Sequence, residues 1–391
     1  MKLRTLKDLN VTGRRVFLRV DFNVPLKDGK ILDDTRVRAI LPTLNAILDK
    51  GGKPILASHL GRPKGPDPSQ SLAPVAARLK ELTGRNVIFP GKVLGPEVEA
   101  AIAGMKPGDI LLLENTRFEK GEKEDDPAFA QKLRTLADVY VNDAFGTAHR
   151  ADASTHALAG LFSEKAAGLL MEKEVTALSV ITEHPEKPFV AILGGAKISG
   201  KLEVVQALLP KADVLLIGGG MANTFLKAQG REIGKSLVED DLLGTAKEIM
   251  EKAGAMGKTL LLPEDGRITK ALPAERADVM ALSALPADAI IGDIGPKSEA
   301  AFGAQIAKAR TVFWNGPMGI FEQKPFAAGT MAVARAMAEC PGYTVVGGGE
   351  SVAAVEQSGM ASRIKHISTG GGASLEFIAG AVLPALEVLK A

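Results

Sequence analysis

Two lysines, four residues apart, follow a glycine turn near the middle of the chain. Residues 190–193 form a short apolar run, Gly194 and Gly195 break it, and Lys197 and Lys201 come next. The run predicts a buried parallel strand, and the apolar spacing beyond Lys201 predicts a helix. A helix start after a glycine turn binds phosphate through free backbone N–H groups and the helix dipole. The stretch therefore indicates a phosphate site, with a tight turn bearing two solvated lysines as the alternative interpretation.

The spacing from Gly195 also matches a Walker A loop except at one position. Leu202 stands where that motif needs a Ser or Thr hydroxyl to hold magnesium. A P-loop ATPase is therefore disfavoured, and ATP hydrolysis without a second substrate is the observation that would favour it.

Arginines recur just after the predicted strands of the first half of the chain. They are Arg36, Arg62, Arg117 and Arg150, and His59 lies among them. Ligands of open parallel sheets bind at the carboxyl ends of the strands. Because a guanidinium grips phosphate or carboxylate with two hydrogen bonds, this set predicts a small, highly anionic substrate. Each arginine taken alone is more typical of a protein surface.

Glycine clusters follow the predicted strands of the second half. They are residues 194–195, 218–220, 347–349 and 370–372, and Asn315-Gly316-Pro317 follows a further strand. Glycine lets a ligand approach the backbone closely and frees amide donors ahead of a helix. Four such clusters at one sheet edge predict a nucleotide, whereas each alone is typical of a turn. Glu350 could hold nucleotide-bound Mg²⁺, or could simply favour the helix dipole.

The elements that must position these residues are short apolar runs alternating with longer helical patterns. The predicted strands are residues 16–20, 55–58, 87–89, 110–113 and 139–142, then 190–193, 214–217, 259–262, 311–314, 343–346 and 365–368. Such alternation predicts an α/β fold of two doubly wound, Rossmann-like parallel-sheet domains. Residues 164–183 predict a long helix that joins the domains, or alternatively a crossover helix within one sheet. Residues 373–390 predict a C-terminal helix.

Composition limits the class of protein. The chain has 391 residues, enough for two domains, and its net charge of +2 creates no field that recruits nucleic acid or membrane. Cys340 is the only cysteine, which excludes an internal disulfide and is typical of a reducing cytosol. The N-terminus lacks an apolar signal region, and no apolar run approaches the length of a membrane span. These features predict a cytoplasmic protein.

Seven stretches resemble, in order, those of the phosphoglycerate kinase family, over essentially the whole chain. They are residues 19–25, 58–63, 114–118, 146–150, 194–201, 314–317 and 368–375. Their number and order make the resemblance specific, and the compact length resembles the bacterial members. The resemblance implies reversible phosphoryl transfer between 1,3-bisphosphoglycerate and ADP, giving 3-phosphoglycerate and ATP in glycolysis and gluconeogenesis.

The resemblance also implies roles for individual residues. The glycerate ligand is expected at Asp21, Phe22, Asn23, Arg36, His59, Leu60, Gly61, Arg62, Arg117 and Arg150. The nucleotide is expected at Gly195, Lys197, Lys201, Gly219, Asn315, Pro317, Glu322, Gly348, Gly349, Glu350 and Ser351, with Mg²⁺ carried by the nucleotide at Glu350. A monomer is expected, with these small molecules as its partners.

The expected domains follow the same resemblance. Residues 1–165 would bind the glycerate ligand, residues 166–186 would form the interdomain helix, and residues 187–372 would bind the nucleotide. Residues 373–391 are expected to form a helix that packs back against the first domain.

Three departures from the family pattern stand out. Glu350-Ser351 replaces the usual Asp-Thr and lengthens the metal ligand by one methylene. Asp152 stands where His is usual, which places a negative charge near Arg150. Residues 264–267 differ from the apolar run that is common there. None of these changes removes an arginine or lysine of the expected transfer site.

The expected chemistry needs no general base. A carboxylate in one direction and an ADP phosphate in the other are both ionised at neutral pH. Catalysis is then expected from positioning and charge stabilisation, with Arg36, Lys197 and the amides near Gly349 and Gly371 around the transferring group.

Because water would hydrolyse the transferring group, the two halves are expected to close on each other. Hinges are expected in residues 164–183 and 368–372. Two alternatives stay open: a solute-binding protein without catalysis, and a kinase fold that Glu350 has inactivated.

Overall fold

The computed structural model describes residues 2–391, which form two compact units. The first unit extends to Thr176 and includes Val382–Ala391, and the second unit is Ala177–Ala381. Each contains a six-stranded parallel sheet with helices, which confirms the predicted α/β class. Within residues 2–391, no helix combines the length and apolar character that crossing a bilayer requires.

The first unit is built on a parallel sheet of order β5-β6-β4-β1-β7-β8. Its strands are β1 (Arg15–Arg19), β2 (Leu26–Lys27), β3 (Lys30–Ile31), β4 (Lys53–Ala57), β5 (Val87–Ile88), β6 (Ile110–Leu112), β7 (Val139–Asn142) and β8 (Lys165–Ala167), of which β2 and β3 form a separate hairpin. Its helices are α1 (Thr35–Ala39), α2 (Leu41–Asp49), α3 (Ala73–Thr83), α4 (Pro96–Ala103), α5 (Pro127–Arg134), α6 (Ala157–Gly160) and α7 (Leu169–Thr182), the last of which runs on into the second unit.

The centre of this sheet is largely apolar. Val16, Leu18 and Leu56 lie in one buried cluster with residues of the helices, including Leu44 and Leu79. A parallel strand covered on both faces must be apolar along its length, which is why β1, β4, β6 and β7 were predictable as continuous runs. The polar residues that follow each strand are then held at one edge of the sheet.

The second unit contains a parallel sheet of order β11-β10-β9-β15-β16-β17 and an antiparallel sheet of order β13-β12-β14. Its strands are β9 (Phe189–Leu193), β10 (Val214–Ile217), β11 (Thr259–Leu261), β12 (Asp265–Thr269), β13 (Asp278–Ala281), β14 (Ile290–Ile294), β15 (Thr311–Asn315), β16 (Tyr343–Gly347) and β17 (His366–Ile367). Its helices are α8 (Leu202–Leu208), α9 (Gly219–Ala228), α10 (Leu243–Ala255), α11 (Pro296–Lys308), α12 (Ala328–Glu339), α13 (Gly349–Gln357) and α14 (Gly372–Ala379). The antiparallel sheet was not predicted, because β12 is mostly polar and the apolar residues of β13 and β14 form no continuous run like those of the parallel strands.

The predicted helix over residues 164–183, or 166–186 as a domain connector, was wrong at its start. Lys165–Ala167 is instead β8, the edge strand beside β7, and the helix begins at Leu169 and ends at Thr182. Side chains fix that start, since Thr43 Oγ1 accepts the Leu169 N–H (2.9 Å) and Asp143 Oδ1 accepts the Met171 N–H (3.0 Å). These acceptors occupy backbone donors that a helix leaves free in its first turn.

The predicted continuous C-terminal helix was also wrong. Gly380 adopts a left-handed conformation (φ 82°) and ends α14, which packs against α8 within the second unit. A short helix, α15 (Pro384–Glu387), then begins at a proline. Residues beyond Val382 belong to the first unit, where Leu389 O accepts the Arg4 N–H at 3.0 Å. Gly380 and Pro384 indicate a helix end and a new helix start, but the regular apolar spacing across them favoured one continuous helix.

Candidate active site

The end of β1 is tied to α1 by a guanidinium. Arg36 Nη1 donates to Asn23 O (2.8 Å) and lies 3.2 Å from Asp21 Oδ2. Asn23 Oδ1 in turn accepts the Gly61 N–H (2.9 Å), which follows β4. Two strand ends and one helix are thereby connected through polar side chains. The side chains of Phe22 and Leu60 are buried in the apolar cluster, so these two residues offer the site only backbone groups.

His59 is buried beneath this edge, with only 1% of its surface exposed. Burial holds its pKa well below the usual 6.5, and the charges of Arg19, Arg117, Arg150 and Arg36 lower it further. The imidazole is therefore neutral at pH 7 and can donate one hydrogen bond and accept another. Four cations acting on one ring also place these arginines around a common point.

Arg19 was not predicted as a site residue, although it lies in residues 19–25, the first of the stretches that resemble the family. It is fully buried at the end of β1, donates to Ser154 Oγ (2.7 Å) and approaches His59 Nδ1 (3.5 Å). Its counter-ion is the buried Glu122, whose Oε1 lies 3.9 Å from Arg19 Nη2. An arginine inside an apolar strand was the available signal, because a buried guanidinium requires a partner.

Arg117 and Arg150 hold donors that no group of the described chain satisfies. Arg117 Nε and Arg150 Nε are buried without a hydrogen-bond partner, although Arg117 Nη1 donates to Gly61 O. Burial lowers the pKa of Arg117, and the neighbouring charge of Arg150 adds to that effect. Buried donors without a hydrogen-bond partner on neighbouring cations are expected where a protein binds an anion.

Arg62 differs from the other predicted arginines. It is exposed, and the contact that the structure gives it is a backbone one, from its N–H to Gln70 Oε1 (2.9 Å). Gly61, just before it, has φ +62°, and an added Cβ would meet Gln70 Oε1 at 2.0 Å. The Gly61–Arg62 turn is therefore fixed by Gln70, while the Arg62 side chain extends from it.

In the second unit, Lys201 immediately precedes α8, and its side chain reaches back to the end of β9. Its Nζ donates to Gly194 O (2.6 Å) and Asn315 O (3.1 Å), which follow β9 and end β15. Burial lowers its pKa to about 8, and the charge of Glu350 opposes that change. A lysine held on two carbonyl oxygens beside glycine turns presents its charge at a defined point.

The glycine turns of three strands meet closely. A Cβ on Gly194 would lie 2.1 Å from Pro317 O, and one on Gly219, whose φ is +65°, would lie 2.7 Å from Gly195 N. Gly195 N–H donates to Pro317 O (2.8 Å). These positions require glycine because the backbones themselves are in contact.

A cavity of about 510 Å³ opens beside these turns. Its lining residues include Gly195, Gly219, Pro317, Glu322 and Glu350 from the predicted nucleotide set. Apolar side chains, including Leu226 and Ile291, form much of the remaining wall. A largely apolar cavity whose wall includes Gly195, next to the Lys201 ammonium, suits a nucleoside joined to phosphates.

The loop before α8 carries Lys197. This residue is exposed, and Glu239 anchors its loop by accepting the N–H groups of Ile198 (2.6 Å) and Ser199 (3.1 Å). Burial raises the pKa of Glu239, but the hydrogen bonds from Ser199 and Ile198 and the charge of Lys197 together lower it overall. Glu239 was missed because it lies far along the chain from the loop that it holds.

The helices α13 and α14 start at the remaining predicted residues. Gly348 (φ +89°) precedes α13, which begins with Gly349 and carries Glu350 exposed in its first turn. Ser351 Oγ accepts the Gly316 N–H (2.5 Å), which ties this helix to the end of β15. Gly371, with φ +53°, precedes α14.

The carboxylates near the cavity limit how a metal could bind. Among residues 2–391, no group of three His, Cys, Asp or Glu side chains is arranged to hold an ion. Glu350 alone combines exposure, a place on the cavity wall and proximity to Lys201. A single carboxylate suits Mg²⁺ that takes its other ligands from phosphate and water.

Known proteins resemble this chain over nearly its whole length. A model of the phosphoglycerate kinase family matches residues 6–381. The phosphoglycerate kinase of Moorella thermoacetica is 54% identical over 387 residues, 98% of each chain, and that of Anaeromyxobacter sp. strain Fw109-5 is 52% identical over the full length of both. The solved structure of phosphoglycerate kinase from Coxiella burnetii superposes with a TM-score of 0.90 at 40% identity, covering 99% of this chain and 98% of that one. The chain belongs to the phosphoglycerate kinase family.

Proposed function

We propose that the arginine-rich edge of the first unit binds the glycerate substrates and that the glycine turns of the second bind the nucleotide. As a member of its family, the chain transfers a phosphoryl group between 1,3-bisphosphoglycerate and ADP in glycolysis. The observation that carries the assignment is that two buried donors, Arg117 Nε and Arg150 Nε, have no hydrogen-bond partner within residues 2–391. An anionic substrate would satisfy both.

The glycerate ligand needs contacts at two ends, a carboxyl or acyl phosphate and a phosphate ester. Arg36, fixed by Asp21 and Asn23, is proposed to meet the reacting end, where charge moves during transfer. His59, Arg117 and Arg150 are proposed to hold the rest of the ligand. Arg62 is proposed to join them through its free side chain, and Phe22, Leu60 and Gly61 to contribute backbone groups.

The nucleotide is proposed to lie in the 510 Å³ cavity, with its base and ribose near Glu322 and its phosphates near Lys201. The remaining proposed contacts are Gly195, Lys197, Gly219, Asn315, Pro317, Gly348, Gly349, Glu350 and Ser351. Glu350 would hold Mg²⁺ that arrives with the nucleotide. When bound, that ion neutralises part of the phosphate charge.

Transfer then depends on charges and donors rather than on a base. The neutral His59 is buried and is not required to remove a proton, because both nucleophiles are already anions. Arg36, Lys197 and the backbone N–H groups at Gly349 and Gly371 are proposed to stabilise the transferring phosphoryl group. Each donor of this kind is worth about 3 kcal/mol of barrier in comparable sites.

Three further properties are proposed. The protein acts as a monomer on its small-molecule substrates, without nucleic acid. It acts in the cytoplasm, where ADP and ATP are abundant and where its single thiol, Cys340, stays reduced. The chain divides its substrates between the two units, with the glycerate ligand on the first and the nucleotide on the second.

Substitution of Arg36 tests the assignment. Arg36→Ala should lower kcat about 100-fold in a coupled, Mg²⁺-dependent assay of ATP consumption with 3-phosphoglycerate. Arg38→Ala is the matched control, since Arg38 lies in the same helix α1, is exposed and pairs with Asp34 at 2.9 Å. ADP binding by calorimetry should be unchanged in both variants. An Arg36→Ala enzyme with the normal kcat would contradict the assignment.

A further inference from the structure

A carboxylate lies between the two arginines that carry the proposed anion site. Asp152 is 4% exposed, and its Oδ2 lies 3.6 Å from Arg150 Nε and 3.9 Å from Arg117 Nη2. This oxygen is buried and has no hydrogen-bond partner within residues 2–391. It is therefore close enough to both cations to act by charge, but too far to orient either by a hydrogen bond.

The side chain is also not needed to shape its own turn. The backbone oxygen of Asp152 accepts the N–H groups of Thr155 and His156, each at 2.9 Å. Those main-chain bonds fix the turn whatever side chain stands at this position. What the carboxylate adds is negative charge.

The other buried carboxylate of this region is already engaged. Glu122 accepts from Ser154 Oγ (2.6 Å) and Ser154 N (3.0 Å) and faces Arg19. Asp152 is consequently the group that offsets the charge of Arg117 and Arg150. Without it, Arg117 would keep only the weaker influence of Glu122, which Ser154 and Arg19 already engage.

We propose that Asp152 is an internal counter-ion that sets the affinity of the Arg117–Arg150 site for phosphate-bearing ligands. It weakens the binding of any phosphate dianion, the glycerate substrate and free inorganic phosphate alike, so that the bound ligand can leave. The proposal rests on the assignment of Arg117 and Arg150 to the glycerate ligand. Asp152 touches no substrate in this scheme and acts through the two arginines.

The size of the effect follows from Coulomb's law. A phosphate bound on the arginines would lie about 7 Å from the Asp152 carboxylate, given ordinary hydrogen-bond lengths. Removing one charge at that separation from a dianion changes a dissociation constant by roughly tenfold even at the dielectric constant of water, so tenfold is the lower bound. The change favours tighter binding.

Calorimetry with inorganic phosphate and with 3-phosphoglycerate tests the proposal. Asp152→Asn should bind both at least about tenfold more tightly, and the gain should shrink as salt is raised. Asp152→Glu, which keeps the charge, should restore the normal dissociation constants. Asp49→Asn, an exposed residue at the end of α2, controls for the change in net charge. If the Asn variant does not fold, Asp152→Ser removes the same charge.

The Arg150→Gln variant distinguishes a failure of the Asp152 proposal from a failure of the substrate-site assignment on which it rests. Weaker binding in Arg150→Gln together with tighter binding in Asp152→Asn supports both. Weaker binding in Arg150→Gln, with unchanged or weaker binding in Asp152→Asn, overturns the counter-ion role and leaves the substrate site standing. Equal tightening in Asp152→Glu and Asp152→Asn also overturns it. Unchanged binding in Arg150→Gln refutes the substrate site itself.

Discussion

Lys201 makes the clearest quantitative prediction about the nucleotide site. Its ammonium is removed from bulk water and donates to Gly194 O and Asn315 O. Burial lowers its pKa from the ordinary 10.5 to about 8, against the opposing charge of Glu350. That difference corresponds to about 3 kcal/mol of lost stabilisation of the charged form. The free protein therefore holds a cation that a bound phosphate would stabilise.

The sign of the pH dependence follows directly. Below pH 8 Lys201 is charged in the free protein, and above it the lysine becomes neutral. A bound phosphate raises the pKa again, so the dissociation constant of ADP should rise about tenfold per pH unit above pH 8. Unfolding responds in the opposite sense. Between pH 8 and 10.5 the unfolded chain binds more protons at Lys201, so its contribution to the stability increases with pH by up to about 3 kcal/mol.

Calorimetry of ADP with Mg²⁺ between pH 7 and 9.5 measures the first effect, and urea unfolding over pH 7 to 10.5 measures the second. Lys201→Met should abolish both slopes. Lys197→Met is the matched control, because Lys197 is exposed in the adjoining loop and its loss should leave the unfolding slope intact. An ADP affinity that is constant over this range, or a Lys201→Met slope equal to that of the parent protein, would refute the reasoning.

Two further predictions concern the same unit. Gly219→Ala should destabilise the fold by at least 1 kcal/mol, by urea unfolding. It should also weaken ADP binding, because its Cβ would lie 2.7 Å from Gly195 N at φ +65°. A Cβ added at Gly200 would have no neighbouring atom within 4 Å, so Gly200→Ala should leave both the stability and the ADP affinity unchanged. Glu350→Gln should raise the Mg²⁺ concentration needed for half-maximal activity about tenfold while 3-phosphoglycerate affinity is unaffected. An unaltered Mg²⁺ dependence would exclude Glu350 as the metal ligand.

The central strands could be predicted because burial on both faces leaves little choice of residue. β1, β4, β9 and β15 are all apolar runs whose ends lie within two residues of the predicted ends. The edge strand β8 could not be predicted, since Lys165-Ala166-Ala167 has no apolar pattern and is held by β7 and by the Arg4 carbonyl, which accepts the Ala167 N–H at 2.8 Å. The antiparallel strands β12–β14 were not predicted either, because β12 is mostly polar and Gly292 and Asp293 interrupt the isoleucines of β14.

The site shows a similar division. Residues that follow strand ends, such as His59, Arg117 and Lys201, were predictable because topology places all strand ends of a parallel sheet at one edge. Arg19 and Glu239 were not, because each acts on a segment distant in sequence: Arg19 on Ser154, and Glu239 on the loop at Ile198. Spacing along the chain contains no information about such pairings until the fold brings them together.

The two units hold their buried cations in different ways, and each arrangement favours the binding of an anion. In the first, Arg117 stands beside Arg150 and its pKa is lowered by burial and by that neighbour. In the second, one lysine is buried among neutral carbonyl groups. Both arrangements cost free energy in the unliganded protein, and both costs fall when a phosphate arrives. Part of the binding free energy therefore comes from relieving unfavourable electrostatic free energy in the unliganded site. A substitution that lowers that electrostatic free energy before the ligand binds should weaken binding. Asp152 already lowers this electrostatic free energy at Arg117 and Arg150. Removing its charge should therefore tighten the binding of a phosphate-bearing ligand.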